Sequence, residues 1–494
     1  MSFKYLHIVS LLFLSSCTVG PDFLKISTPA DTASAFINTL DDSAQTSATM
    51  NHWWERLNDP TLNGYIDQLL AQNLSLQQAG ERIIQAREQL SSSRGDHLPT
   101  LSADGTATRS FAPLLGNRTY TDTYNAGVST SWSIDLFGKI RRNSESAKAS
   151  FEATQFDYQA LTHSLIAELL NRRVSIAVNQ QQLALAQKNA ENRQKIYQIT
   201  KKRYNLGAAG TALSDVYLAE ENYSSVQAEV SQFERLLTDD LYSLDILLGK
   251  MPGSTVIMQA DFPILAPPVD VASCVPADLL DRRPDLQASL LRQKATNANI
   301  GVAIADLYPS LTLGGAISFN GNSGQDLFTA DQLAGSLLSS LTTRIFEGGK
   351  LRSTIRLRES QAREAMAAYT EDVLQAVYEV ETNIKADTEL SKELSNLQQS
   401  ATALANAERV ADGRYQRGIQ TLTGFLDIQQ RHYSAEQILL RKQQDKWAAR
   451  IALYLALGGD WFIAPSNEDA NAPISEHNKP QCGASPREAS ISNG

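Results

Sequence analysis

Few side chains in this chain are placed for covalent chemistry, and their spacing points to one reaction. Cys17 follows Leu14-Ser15-Ser16, and ahead of them stand Lys4 and the short apolar stretch from Ile8 to Leu14. A basic start, a hydrophobic segment and small residues before a cut site read as a secretory signal over residues 1–16, too short for a membrane anchor. Leu-Ser-Ser-Cys resembles the bacterial lipobox. The Cys17 thiol is therefore expected to carry lipid and to open the mature chain; an ordinary signal that happens to hold a cysteine is the plainer alternative. Acyl chains add roughly 0.8 kcal/mol per buried methylene, so several of them hold a chain on a bilayer. Residue 18 is Thr, not the Asp that retains lipoproteins at the inner membrane. Cys274 and Cys482 would enter an oxidising compartment, and whether they pair is open. HExxH, Gly-x-Ser-x-Gly, P-loop and Cys-x-x-Cys motifs are absent. Six scattered histidines and few methionines make no metal-ligand ladder. The expectation is no catalytic residue, no metal, and no cofactor beyond the lipid on Cys17. The chain is read as a non-enzyme.

Composition narrows the class. The chain has 494 residues, which by length alone suggests about three domains. With 42% hydrophobic residues it can build a core, which excludes a disordered chain. Beyond residue 16 no apolar run of about 18 residues occurs, which excludes a polytopic helical membrane protein. Net charge is −10, from 44 Lys and Arg against 54 Asp and Glu with no basic block, so nucleic-acid binding has no electrostatic basis.

An internal repeat orders the chain. At an offset of 210, Leu98-Pro99-Thr100-Leu101 falls on Tyr308-Pro309-Ser310-Leu311, and Leu70, Leu74 and Leu76 fall on Leu280, Pro284 and Leu286. Thr211 and Tyr223-Ser224 fall on Thr421 and Tyr433-Ser434; with one residue of slip, Arg203-Tyr204 and Gly207 match Arg414-Tyr415 and Gly418. The expected divisions are a lipidated extended segment at 17–50, copies at 51–250 and 275–460, a proline-rich linker at 251–274 and a polar tail at 461–494.

Proline is absent between Pro113 and Pro252 and between Pro309 and Pro465. Long helices require this, because an interior proline costs about 3 kcal/mol. Leu169, Ile176, Leu183, Ala190, Tyr197 and Tyr204 recur every seven residues, as do Leu390, Leu397, Leu404 and Ala411, the signature of a supercoiled seam. A helix over 140–206 would run to roughly 100 Å, longer than a globular core and suited to crossing a wide aqueous compartment. Gly207 and Gly418 stop these helices. Shorter helices are expected at 60–94, 214–248, 276–306 and 425–457. The long helices are rich in Ser, Thr, Asn and Gln, which suits a solvated outer face or a hydrated tunnel wall.

Two hairpins lie between the helices. Leu101, Ala103, Ala107 and Phe111 alternate with Ser102, Asp104, Thr106, Thr108 and Ser110; Tyr124, Val128 and Trp132 alternate with Asn125, Ser129 and Ser133. In the second copy Leu311, Leu313, Ile317 and Phe319 alternate with Thr312, Gly314, Ser318 and Asn320, and Leu337, Leu341 and Ile345 with Ser336, Ser340 and Arg344. Strands of about ten residues with one apolar face match a membrane barrel; a half-buried soluble sheet is the alternative. Four strands cannot close, since closure needs about eight, so neighbouring subunits must complete any pore, as a dimer, trimer or tetramer.

Trp53-Trp54-Glu55-Arg56-Leu57-Asn58-Asp59-Pro60-Thr61-Leu62, Arg282-Arg283-Pro284-Asp285-Leu286 and Ala298-Asn299-Ile300-Gly301-Val302-Ala303 resemble the TolC-like outer-membrane factors. With Cys17-Thr18-Val19-Gly20-Pro21-Asp22-Phe23, the likeness is to their OprM/NodT-type lipoprotein branch, over roughly residues 17–460. The resemblance implies a homotrimer in outer-membrane lipid, with a 12-stranded β-barrel above a long α-helical coiled-coil barrel. It also implies a periplasmic adaptor and an inner-membrane RND-type pump as partners. The function implied is a passive exit duct; a type I protein-secretion duct and a non-conducting envelope spacer are the rivals. It further implies that the two helix-turn-helix tips form the periplasmic entrance. Asp215 and Asp427 match carboxylates of the constriction, where a ring of like charges would bind cations. Tyr415 matches a tyrosine of the closed tip. Arg203, Tyr204, Gly207, Thr211, Arg414, Gly418 and Thr421 match the adaptor-contacting tips, although the arginines and tyrosines also suit packing and capping near a helix end. Gly424 and Gln420 depart from the TolC pattern, which has an aspartate and an arginine there, so Leu422 and Leu426 are expected to offer an apolar constriction instead.

Overall fold

The computed structural model describes residues 18–25, 27–32, 36–38, 53–57, 59–114, 117–208, 210–255, 276–325 and 327–458. The signal segment, Cys17, Cys274, Cys482, most of the linker and the tail lie outside these residues.

The first copy runs α1 (Pro60–Gln72), α2 (Leu74–Gly95), β1 (Thr100–Leu114), β2 (Asn117–Ile134), α3 (Lys139–Asn205) and α4 (Leu213–Leu247). The second runs α5 (Pro276–Arg282), α6 (Pro284–Ala305), β3 (Ser310–Gly321), β4 (Leu333–Thr342), α7 (Lys350–Gln416) and α8 (Leu422–Ala456). The single helices expected at 60–94 and 276–306 are each broken in two. Asn73 turns extended and its side chain caps α2, accepting from the Ser75 and Leu76 amides at 2.9 and 3.0 Å. Arg283 is extended because Pro284 follows it, and Pro284 opens α6. The last helices of the two copies match by their ends at an offset of 209, so Thr421, the α8 cap, corresponds to Ala212 rather than Thr211. The reason is a tighter tip loop in the second copy, residues 417–421 against 206–212.

Both long helices span 67 residues, about 100 Å of rise. Side by side, α4 packs on α3, α3 on α8 and α8 on α7, while α6 lies against both α3 and α7. Leu169, Ile176 and Ala190 of the heptad seam are buried. The main apolar core gathers Leu62, Leu69, Ile166, Leu169, Leu244 and Tyr454, midway down the helices.

The four strands form one antiparallel sheet in the order β1-β2-β3-β4. Its register sets Leu101, Val128, Trp132, Leu313, Ile317, Leu337 and Leu341 on one face, and Ser102, Asp104, Ser129, Thr312, Ser318 and Ser340 on the other. Asn125 donates to Asn320 across the polar face at 2.5 Å. Among the described residues the apolar face is bare, with Leu337 95% exposed, and no helix covers it. No described residue of the protomer buries these leucines, unlike the covered face of a half-buried soluble sheet. Both outer edges, β1 and β4, are unpaired among the described residues.

Just below the sheet the segment after Cys17 is clamped. The Val19 amide donates to the Phe137 carbonyl at 3.2 Å, and Arg142 reaches Asp22 at 2.7 Å. Gly20 (φ +96°) lies so close to Gly301 that a Cβ would stand 2.5 Å from the Gly301 Cα.

Candidate functional site

The far ends of the helical pairs carry the candidate site. Each long helix ends in a Schellman turn, which needs a left-handed residue after the cap. Gly207 (φ +64°) donates to the Tyr204 carbonyl at 2.9 Å while Ala208 donates to Arg203 at 3.0 Å; Gly418 (φ +74°) and Ile419 repeat this on Tyr415 and Arg414, both at 2.9 Å. Arg203, Tyr204, Arg414 and Tyr415 therefore take part in ending their helices through their backbone carbonyls.

Between the two turns lies a cleft of about 680 Å³ that brings together Arg203, Thr211, Asp215, Tyr415, Gly418, Thr421 and Leu422. Tyr415 is sandwiched: the Arg203 guanidinium lies 5.4 Å from its ring centre on one side, and Phe425 stacks on it at 5.2 Å with 7° between planes. Cation–π pairs of this kind contribute about 0.5–2 kcal/mol, depending on desolvation. Arg203 belongs to the first copy and Tyr415 to the second, so the contact ties the two tips together. Phe425 carries no sequence signal beyond its apolar character.

The carboxylates are engaged. Asp215 reaches back to accept the Ala212 amide at 2.8 Å, which caps α4. Asp427 is exposed and pairs with Arg431 one turn along α8 at 3.0 Å. Gly424 sits inside the first turn of α8, its amide donating to Thr421 Oγ1 at 3.3 Å, and Gln420 folds over it. Leu422 and Leu426 do not form an exposed constriction. Both are buried, packed on Ala219 and beside Ile196, Tyr197 and Leu218 of the first copy. Their apolar surface goes into docking α8 on α3 and α4, because that face of α8 meets another helix rather than water. Tyr204, Gly207 and Arg414 lie outside the cleft, and Tyr204 and Arg414 face solvent.

A polar layer above the cleft escaped the sequence reading. Arg193 of α3 is 1% exposed, and among the described residues it donates to two side-chain amides, Asn222 of α4 at 3.4 Å and Gln430 of α8 at 3.3 Å. Burial pushes its guanidinium below the usual value, against the pull of Glu408, Glu221 and Glu229. Nearby, Glu408 of α7 accepts from Gln429 at 3.0 Å and pairs closely with His432. Ala186, Arg193 and Thr200, all buried, form a second seven-residue stripe three positions from the apolar seam. Extending the heptad to that stripe would have flagged Arg193.

An open sheet with an apolar outer face, set on paired helices about 100 Å long, defines a membrane-embedded duct of the TolC-like class. The chain belongs to the outer membrane efflux protein family, which it matches over residues 65–250 and 275–459. It is 30% identical over 458 residues to Nodulation protein T of Rhizobium leguminosarum bv. trifolii, covering 91% of this chain and 96% of that one. It is 28% identical to the probable efflux pump outer membrane protein TtgC of Pseudomonas putida, covering 94% of this chain and 97% of that one. Among solved structures, the outer-membrane channel OprN superposes with a TM-score of 0.78 at 30% identity, covering 90% of this chain and all of that one. The protein is an outer-membrane efflux channel.

Proposed function

We propose that three copies of this chain form the exit duct of a tripartite efflux system. A periplasmic adaptor meets the helical tips, an RND-type inner-membrane pump supplies the energy, and small molecules pass outward unchanged. The observation that carries this reading is the four-stranded sheet with two unpaired edges and a bare apolar face. In lipid each backbone N–H and C=O must be paired, so such a sheet is stable only inside a closed barrel built by several copies. Three copies supply twelve strands, within the range of known barrels. The tip cleft, lined by Arg203, Asp215 and Tyr415, is the adaptor-facing and gating end of this reading. The exposed Asp427 supplies one carboxylate per copy around the axis. Lipid on Cys17 fits the placement of Thr18 beside Gly138, at the boundary between sheet and helices where a bilayer surface would lie.

Planar-bilayer recording of the purified protein tests the proposal. Conductance is expected, and Asp427→Ala should reduce cation selectivity or cation block. Silence from the parent and from every tip variant would leave a spacer rather than a duct; unchanged selectivity would remove Asp427 from the gate.

A further inference from the structure

The register of the sheet puts a single kind of charge on its polar face. That face takes the even-numbered residues of β1, β3 and β4 and the odd-numbered residues of β2. Its side chains are mostly Ser, Thr and Asn, with Leu338 as an apolar member. Among the described residues of the four strands, Asp104 is the only ionisable one at a polar-face position. Arg109 and Asp122 stand on the opposite face and pair with each other at 2.6 Å. Arg344, at the foot of the sheet, is paired with Glu347 at 3.5 Å.

Asp104 is exposed, and its carboxylate has no hydrogen bond or ion pair among the described residues. Its neighbours are small: the row across the sheet continues through Gly127, Ser318 and Ala334. Packing keeps Gly127 bare, since a Cβ there would stand 2.7 Å from the Ser318 Cβ. No side chain opposite Asp104 on β2 can therefore cover or neutralise it. At the repeat offset of 210 its counterpart is Gly314, so the charge occurs in the first copy alone.

We infer that Asp104 sets the charge preference of the outer end of the duct. One carboxylate per copy, facing the lumen, enriches cationic solutes there over anionic ones of the same size, without help from the tip. This rests on the trimeric duct proposed above and specifies which cargo charge its barrel favours. Twelve strands about 4.8 Å apart and tilted by about 40° close a cylinder of roughly 12 Å backbone radius. The carboxylates then lie about 10 Å from the axis, which is about one Debye length at 0.1 M salt, a third of one at 0.01 M and three at 1 M. The preference is therefore strong in dilute salt and screened in concentrated salt.

The test reads the local field from the outer mouth, so no tip opening is needed. The full-length chain in outer membranes carries Cys274→Ser, Cys482→Ser and the lumen reporter Ser129→Cys, with Cys17 retained. A cationic and an anionic methanethiosulfonate of similar size are the probes. At about 10 mM salt, Asp104→Asn should lower the ratio of cationic to anionic reaction rates about tenfold, and at about 1 M by less than about twofold. Asp104→Glu should keep the parent ratio, and so should Asp427→Ala at the far end of the helices. An unchanged ratio in Asp104→Asn, with both probes reacting, would overturn the inference and leave the duct standing. So would an equal fall at high salt, which marks a rearranged wall rather than a field, or an equal fall in Asp427→Ala. Reaction of neither probe would put Ser129 outside a wet lumen and defeat the duct itself.

Discussion

Asn73 and Arg283 occupy the same break in the two copies, and each holds the end of its own copy's closing helix. Asn73 Nδ2 donates to the Leu247 carbonyl at 2.8 Å, and Arg283 Nη1 donates to the Ala456 carbonyl at 3.3 Å. Beside them Gly249 packs on Gln72 and Gly458 on Arg282, each in a left-handed turn. Arg283 goes further, reaching Asp285 and Glu379, each at 2.7 Å. One solution to burying a helix end is thus used twice, with an amide in one copy and a charged fork in the other.

The charged version should be the more costly to lose. Arg283→Ala leaves the buried Ala456 carbonyl without this donor and the partly buried Glu379 with the Gln375 amide but no cation, so a loss of about 3 kcal/mol is expected. Asn73→Ala removes a helix cap and one buried hydrogen bond, and should cost about 1–2 kcal/mol. Thermal melts in detergent compare the two; equal losses would mean that Arg283 acts only as a cap.

His163 should make stability depend on pH. Burial in α3 pushes its imidazole down to about 4, with the Asp285 carboxylate pulling the other way. The unfolded chain takes up the proton near 6.5, so between those values it binds more protons than the folded one. Stability from this residue is therefore full above pH 6.5 and lost as pH falls towards 4, by up to about 3 kcal/mol. Melting temperature against pH should fall less steeply in His163→Leu than in the parent across that window.

Tyr415 should act through its ring. Tyr415→Phe keeps both the Arg203 face and the Phe425 stack and should leave conductance unchanged. Tyr415→Ala removes both and should raise single-channel open probability several-fold. Equal behaviour of the two variants in bilayer recordings would show that the ring does not hold the tip.

Arg193 should be dispensable for stability. Its charge is buried against two long amide bonds, and removing a poorly compensated buried charge is often neutral or favourable. Arg193→Met should change stability by no more than about 1 kcal/mol, and in the stabilising direction. A loss of several kcal/mol on thermal unfolding would mean that the neighbouring carboxylates hold the guanidinium more firmly than its contacts suggest.

Periodicity in the sequence determined the repeat, the uninterrupted long helices, the two-faced strands and the glycine turns at the tips. Each of these is a local property: a missing proline, an alternation of two, a residue free to take positive φ. The tertiary structure decided what locality leaves open. Strand order β1-β2-β3-β4, the withdrawal of Leu422 and Leu426 from the tip surface and the burial of Arg193 all depend on which helix or strand arrives opposite, and a face pattern does not name its partner. The breaks at Asn73 and Arg283 were half visible, through Pro284 alone.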